Sequence, residues 1–209
     1  KFIGMSTPTP CPTGNYCPLS SHIPTRCPPG TYNSSQNLIQ KSQCTPCPTG
    51  HYCPYAGMSS VPPTNLCSSG YFCSSNASSP TPFSLDEFGN RPCPGGHYCP
   101  QGVLAPIACP PGTYQLSGGA GVCLHCPPGN YCPRNSTPSG VEDTINLIAC
   151  PAGLYCVGGA AVGDASDGNV FDCPTHHYCP EGSYKPVVCE DGWFNDEVGR
   201  SACKKCPAG

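Results

Sequence analysis

Residues 109–132 read CPPGTYQLSGGAGVCLHCPPGNYC. A six-residue unit, Cys-Pro-x-Gly-x-Tyr, occurs twice in this stretch, opening at Cys109 and at Cys126. A Cys-x2-Cys pair, Cys123 and Cys126, joins the two copies. Pro pre-sets φ for a tight turn, and Gly two residues later takes φ > 0 at no steric cost. The unit therefore reads as a chain reversal. In the second copy the reversal brings Cys132 back towards the Cys that opened it.

The same unit recurs along the whole chain. Copies open at Cys11, Cys27, Cys47, Cys67, Cys93, Cys109, Cys126, Cys150, Cys173 and Cys189, and an eleventh begins at Cys206. The aromatic slot holds Tyr in eight copies, with Phe72 and Phe194 in the other two. His176 replaces the Gly of one copy, and Ser68 and Glu190 replace the Pro of two others. These departures weaken the predicted turn locally. The Cys pattern also repeats at a longer period. Cys11, Cys93 and Cys173 each open a run Cys-x5-Cys-x9-Cys, at offsets of 82 and 80 residues. Fixed-period self-similarity is the signature of an elongated array. We divide the chain into residues 1–10, a Ser/Thr/Pro linker with the tail of a preceding repeat, super-repeats at 11–92 and 93–172, and a partial third at 173–209. Lys1 is not an initiator Met, and both ends read as cut from a longer, processed chain.

The composition supports a covalent scaffold. The 209 residues include 21 Cys, 29 Pro and 25 Gly, but only 31 Leu, Ile, Val and Phe together. That is too little apolar side chain for an ordinary core. Disorder would normally carry a high net charge, whereas this chain carries −3 with 10% charged residues. Cys at this density reads as a disulfide framework in an oxidising compartment. The expected fold is a set of small disulfide-rich repeats: an elongated rod of turns and short β-hairpins, little or no helix, and no single hydrophobic core. Each aromatic ring supplies most of the apolar area of its unit. Tyr16, Tyr32, Tyr52, Tyr98, Tyr114, Tyr131, Tyr155 and Tyr178 are expected to be partly buried against a neighbouring bridge. No apolar run approaches a membrane span of about 20 residues. Nine scattered Lys and Arg make no basic patch for nucleic acid.

Spacing suggests part of the pairing. Cys109 with Cys123 and Cys189 with Cys203, both 14 apart, read as bridges, with Cys27–Cys44 as their equivalent at 17. The remaining pairs are Cys11/Cys17, Cys47/Cys53, Cys67/Cys73, Cys93/Cys99, Cys126/Cys132, Cys150/Cys156 and Cys173/Cys179. For these we favour local pairing; the competitor is interleaved, as in Cys126–Cys150 with Cys132–Cys156. The odd count leaves at least one Cys near an end with its partner outside this segment.

The runs CPTGNYCP, CPPGTY and CTPCPTGHYCP resemble the ephrin-receptor-like cysteine-rich repeat family, with a looser similarity to modules of tumour-necrosis-factor receptors. The stretch from Cys109 to Cys132 matches most closely. Such repeats occur in receptor stalks and adhesion proteins. They also form long arrays in extracellular filaments, including mastigoneme-type flagellar hairs.

The Cys-x2-Cys pairs also raise zinc, but a structural site needs four ligands, usually two such pairs close together. Here one pair occurs per roughly 80 residues, so disulfides are the better reading and no cofactor or metal is expected. His51, His97 and His177 precede the motif Tyr in a slot that elsewhere holds Asn15, Asn130, Tyr71 and Leu154. A slot that changes chemistry in this way reads as exposed and unselected. The acidic pairs Asp86-Glu87, Glu142-Asp143 and Asp196-Glu197 read as solvated surface, since no Ca²⁺-loop pattern recurs. Asn33, Asn76 and Asn135 head N-glycosylation sequons expected in exposed loops. Thr7, Thr9, Ser79, Thr81 and Thr137, in Ser/Thr-Pro clusters, are candidate O-glycosylation sites.

No nucleophile can be assigned a general base, and no enzyme is expected. The expected function is structural: a component of a glycosylated extracellular filament or surface appendage, secreted or cell-surface, self-associating and carrying N- and O-linked glycans. No nucleic-acid partner and no membrane insertion of this segment are expected. The alternative is the stalk or ligand-binding cysteine-rich region of a receptor or adhesion protein.

Overall fold

The computed structural model describes residues 9–83, 89–133 and 147–207. The fold is a series of nine two-stranded antiparallel hairpins, with the single bridge His51–Leu66 in the unit that opens at Cys47, and no sheet of three strands among the described residues. The only helical turn described is a 3₁₀ segment, Lys41–Gln43. No helix among the described residues is long and apolar enough to cross a membrane.

Each hairpin has the same construction. The strand that carries the motif aromatic pairs with the two residues before the next motif Cys. Asn15–Tyr16 pairs with Thr25–Arg26, and Asn130–Tyr131 with Ile148–Ala149. The motif turn feeds the first strand. In nine units the residue at the Pro slot accepts a hydrogen bond from the amide three residues on, at 3.0–3.3 Å. The intervening Gly has φ between +70° and +89° in eight of these nine units. An i→i+3 bond with φ > 0 only at the third residue is a type II turn. The motif Pro thus occupies the first turn position, whose carbonyl closes the turn, and not the second, where a fixed φ would matter most. This explains why the turn survives without Pro: Ser68 and Glu190 close it at 3.1 and 3.0 Å.

In half of the units the sequence itself limits the first strand. In five units the closing Cys is followed by Pro, which has no amide to donate to a ladder. Cys156 is followed by Val157 instead, and there the hairpin lengthens to Leu154–Cys156 against Val170–Asp172. Tyr155 and Phe171 stack across it with centroids 5.3 Å apart.

Ten disulfides close the units. Every Cys-x5-Cys segment takes the local pairing, and none is interleaved. The first super-repeat has Cys11–Cys17, Cys47–Cys53 and Cys67–Cys73. The second has Cys93–Cys99, Cys126–Cys132 and Cys150–Cys156, and the third has Cys173–Cys179. Their Cα atoms lie 5.8–6.3 Å apart. Six extended residues would span about 20 Å, so the turn does the work of bringing the two sulfurs together. The closing Cys53 and Cys179 are fully buried, whereas Cys17, in the first clip described, is only half-buried. The longer bridges are Cys27–Cys44, Cys109–Cys123 and Cys189–Cys203. Cys206 is unbridged and exposed.

The chain divides into two compact units, one of residues up to Cys93 with Cys99–Pro106, the other of Pro94–Tyr98 with the residues from Ile107 onward. Neither has a central core. The first unit holds two small clusters, Cys67, Cys73 and Ala77 under Tyr52, and Phe72 with Cys93, Cys99 and Val103. The second holds Cys150, Cys156, Ala160 and Val170, capped by Tyr131 and Leu154. In all three the aromatic ring of one clip lies on the bridge of the next. The eight motif Tyr side chains are all half-buried. Small disulfide-rich repeats without a single core are what the composition implies.

Candidate functional site: the joint between clips

The candidate site is the joint between consecutive clips, and it is built mainly from backbone. In all ten joints the carbonyl of the Gly-slot residue accepts from the amide of the next motif Cys, at 2.8–3.1 Å. In nine, the amide of that same residue donates to the carbonyl six residues past the next motif Cys, at 2.7–3.0 Å. Where that acceptor is a closing Cys, the bridge is tied to the clip before it, as in Gly30 to Cys53 and Gly153 to Cys179, both at 2.8 Å. The closing Cys also reaches forward through its own amide. Cys17 donates to Leu38 at 2.7 Å, Cys53 to Ala77 at 2.8 Å and Cys179 to Arg200 at 2.9 Å. In seven joints, the carbonyl of the motif Cys accepts from a residue nine or ten positions past the next motif Cys, as in Gly159 to Cys126 at 2.8 Å. Those donors are Gly or Asn with φ between +52° and +90°.

The Gly slot has a second requirement besides φ. A Cβ built on Gly112 would lie 2.3 Å from the carbonyl oxygen of Gly159, which belongs to the clip after next. Gly14, Gly30, Gly50, Gly129 and Gly153 meet a carbonyl in the same way, at 2.2–2.5 Å. Each joint therefore touches two successive clips, and a side chain would separate them. His176 fills the slot with φ +66°, where a non-Gly residue costs roughly 1–2 kcal/mol. It keeps both slot bonds, to Asn195 at 2.7 Å and from Cys189 at 3.1 Å.

Three clips lack the closing Cys, and their sixth position holds an amide: Asn33, Gln115 and Asn195. Asn33 and Asn195 are 2% and 1% exposed. Asn33 Nδ2 donates to the carbonyls of Asn15 and Ser35, and its Oδ1 accepts from the Ser35 amide. Asn195 Nδ2 likewise donates to the His177 carbonyl, and its Oδ1 accepts from the Glu197 amide. Hydrogen bonds at these clips hold the position that a disulfide holds elsewhere. Gln115 is one methylene longer. Its Nε2 reaches Ser117 at 3.4 Å, and its Oε1 is buried without a partner.

This corrects the sequon reading of Asn33. The nitrogen that would carry a glycan is buried and donates two hydrogen bonds, so Asn33 is not an exposed acceptor. Asn76 is half-buried at φ +52°. Thr9 is exposed, and Ser79 and Thr81 are half-buried, with Ser79 Oγ accepting from the Thr81 amide. Asn135, Thr7 and Thr137 lie outside the described residues, as do Asp86-Glu87 and Glu142-Asp143.

The slot before the aromatic is also corrected. His51, His97 and His177 are half-buried, and each Nδ1 lies 2.9–3.2 Å from the carbonyl two residues earlier. Asn15 and Asn130 donate to the same carbonyl position. Thr31 and Thr113 donate instead to the Pro carbonyl that closes the turn, at 2.6 Å. Seven of ten clips thus place a side-chain donor on their own turn. The slot varies in residue type but not in task; Tyr71, Leu154 and Trp193 are the exceptions.

One charged cluster lies at the surface. Asp196 and Glu197 surround Lys204, and Glu197 also pairs with Arg200. The hydrogen bonds from Lys204 and Arg200 hold the Glu197 carboxyl below its ordinary value. In the loop before Val170, partial burial pushes the Asp167 carboxyl up. The amides of Ala161, Asn169 and Val162 more than offset this and hold it below the usual range.

Among the described residues no three His, Cys, Asp or Glu side chains group as a metal site. Cys44, Cys47, Cys123, Cys126 and Cys203, drawn from the Cys-x2-Cys pairs, are each bridged to a Cys outside their own pair. The chain matches no protein-family model, and no curated protein matches it.

Proposed function

We propose that the chain is a segment of a glycosylated extracellular filament or surface appendage, a structural component made of tandem clips of the ephrin-receptor-like kind. The observation that carries this reading is the joint itself. The bond from the next motif Cys to the Gly-slot carbonyl repeats at all ten joints, and at six of them the Gly slot leaves no room for a side chain. Dense bridges suit an oxidising compartment and restrict the unfolded chain, each by typically 2–4 kcal/mol. Glycans fall to Asn76, Asn135 and the Ser/Thr-Pro clusters, and the partner is further copies of the same chain. The test is electron microscopy of native surface material labelled with an antibody raised against this segment. Regularly spaced label along filaments is the expected result. Label confined to a membrane receptor complex would replace the filament with the receptor-stalk reading.

A further inference from the structure

The third super-repeat carries a cleft of about 260 Å³ lined by Tyr178, Glu190, Trp193, Ala202 and Cys203. Cys203 is bridged to Cys189. At the equivalent positions the second super-repeat has Tyr98, Pro110, Thr113, Val122 and Cys123, and the first has Tyr16, Pro28, Thr31, Gln43 and Cys44. Tyr and Cys persist in all three copies. The other three positions all change in the third, each in a direction that makes a cleft. Pro becomes Glu190, which brings a carboxylate. Thr becomes Trp193, which brings an aromatic wall. Val or Gln becomes Ala202, which clears space.

One of these changes removes a bond that the other two copies make. Thr31 and Thr113 each cap their turn with a 2.6 Å bond that Trp193 cannot make. Trp193 is instead 47% exposed, although indole is the largest apolar surface available to the chain. A carboxylate in the Pro slot and an exposed indole in place of the Thr cap coincide in this clip and in no other, and local departures of this kind are expected at functional sites.

We infer that this cleft binds a neutral pyranose ring, the terminal sugar of a glycan. Glu190 disfavours an anion. Lys205 stands directly opposite Trp193 in the hairpin, on the same face, and disfavours a cation. What remains is a neutral ligand with one apolar face for Trp193 and Tyr178 and hydroxyls for Glu190 to accept from. Pyranose C–H bonds carry the partial positive charge that suits the negative face of an aromatic ring. The volume lies just below the roughly 300–1,000 Å³ of pockets that enclose drug-sized ligands, which suits one ring. The site does not depend on the filament reading, since a monomeric chain presents the same cleft.

Trp193 is the only Trp in the chain, so its fluorescence reports this cleft alone. The oxidised full chain is titrated with methyl α-D-mannopyranoside, methyl β-D-glucopyranoside and methyl β-D-galactopyranoside. Tetramethylammonium chloride serves as the cationic comparison. A saturable change with at least one pyranoside is expected. Glu190→Pro should weaken it at least tenfold while keeping the reporter; Pro fills this slot in eight copies, so the turn is retained. Trp193→Thr, followed by calorimetry with the best pyranoside, should abolish binding while the far-ultraviolet circular dichroism is unchanged. No saturable response to any pyranoside, a response to tetramethylammonium alone, or an undiminished response in Glu190→Pro overturns the assignment.

Discussion

Replacing Gly112 by Ala separates two demands that the motif places on one residue. The first is conformational. At φ +78° an Ala costs roughly 1–2 kcal/mol relative to a relaxed backbone. The second is spatial. The new methyl would lie 2.3 Å from the Gly159 carbonyl oxygen, and the clip after next must move to admit it. Overpacking of this kind costs typically about 1–3 kcal/mol. Gly119 supplies the control, because it has φ +86° and nothing within 4 Å of a built Cβ. Gly119→Ala should therefore show only the first cost, and Gly112→Ala should exceed it by about 1–3 kcal/mol, or roughly 5- to 150-fold in local opening. Amide hydrogen exchange reads this directly. The probes are Cys126 N–H, which donates to the Gly112 carbonyl, and Gly159 N–H, which donates to Cys126. Equal loss of protection in the two variants would refute the close-approach argument and leave φ as the only reason for Gly.

Other outcomes follow from the joint and the loops. The peptide carrying Asn33 should be free of glycan in the folded, secreted protein, which glycopeptide mass spectrometry checks; Asn33→Ala should cost about 1–3 kcal/mol, since it strands the Ser35 amide. Gln115→Asn should stabilise its clip by about 1 kcal/mol, because the shorter amide can pair the buried oxygen that Gln leaves unpaired; a higher denaturation midpoint is the readout. Asp167 has its folded pKa depressed, so its contribution is present above the ordinary carboxylate range and is lost as pH falls through the folded value. Exchange at the Ala161 and Val162 amides should accelerate over that acidic window and stay flat near neutrality, and an Asp167→Asn variant should remove the pH dependence.

Much of the fold is legible in the sequence because the motif is local. A Pro-x-Gly turn and two Cys six residues apart specify a clip without long-range information. That spacing favours the bridges Cys11–Cys17, Cys47–Cys53 and Cys173–Cys179, and the structure decides for them over the interleaved pairing. Pro after the closing Cys bars a longer ladder in five units, but Thr31–Tyr32, Tyr71–Phe72, Thr113–Tyr114 and Trp193–Phe194 are as short without it. What sits between clips is less legible. Asn33 has the composition of a glycan acceptor, and only its register, six residues after a motif Cys and in the place of a missing one, marks it as a buried stand-in for the bridge. The same register marks Gln115 and Asn195. The slot before the aromatic looks unselected when residues are compared by type, since Asn, His and Thr differ. Compared as hydrogen-bond donors within reach of the turn, seven of the ten agree. The carbonyl facing Gly112 comes from 47 residues along the chain, a separation that no local pattern encodes.

Each clip is closed by its own bridge, so tension along the chain meets many short covalent loops. Single-molecule extension of the chain, held by its ends, tests this when run before and after reduction. The ten bridges close seven loops of six residues and three of 17, 14 and 14. At about 3.5 Å per extended residue, less the span of each bridge, reduction should lengthen the fully stretched chain by roughly 240 Å. No lengthening would mean that the thiols are not bridged, and a release well beyond that value would mean interleaved loops; either result rules out locally bridged clips.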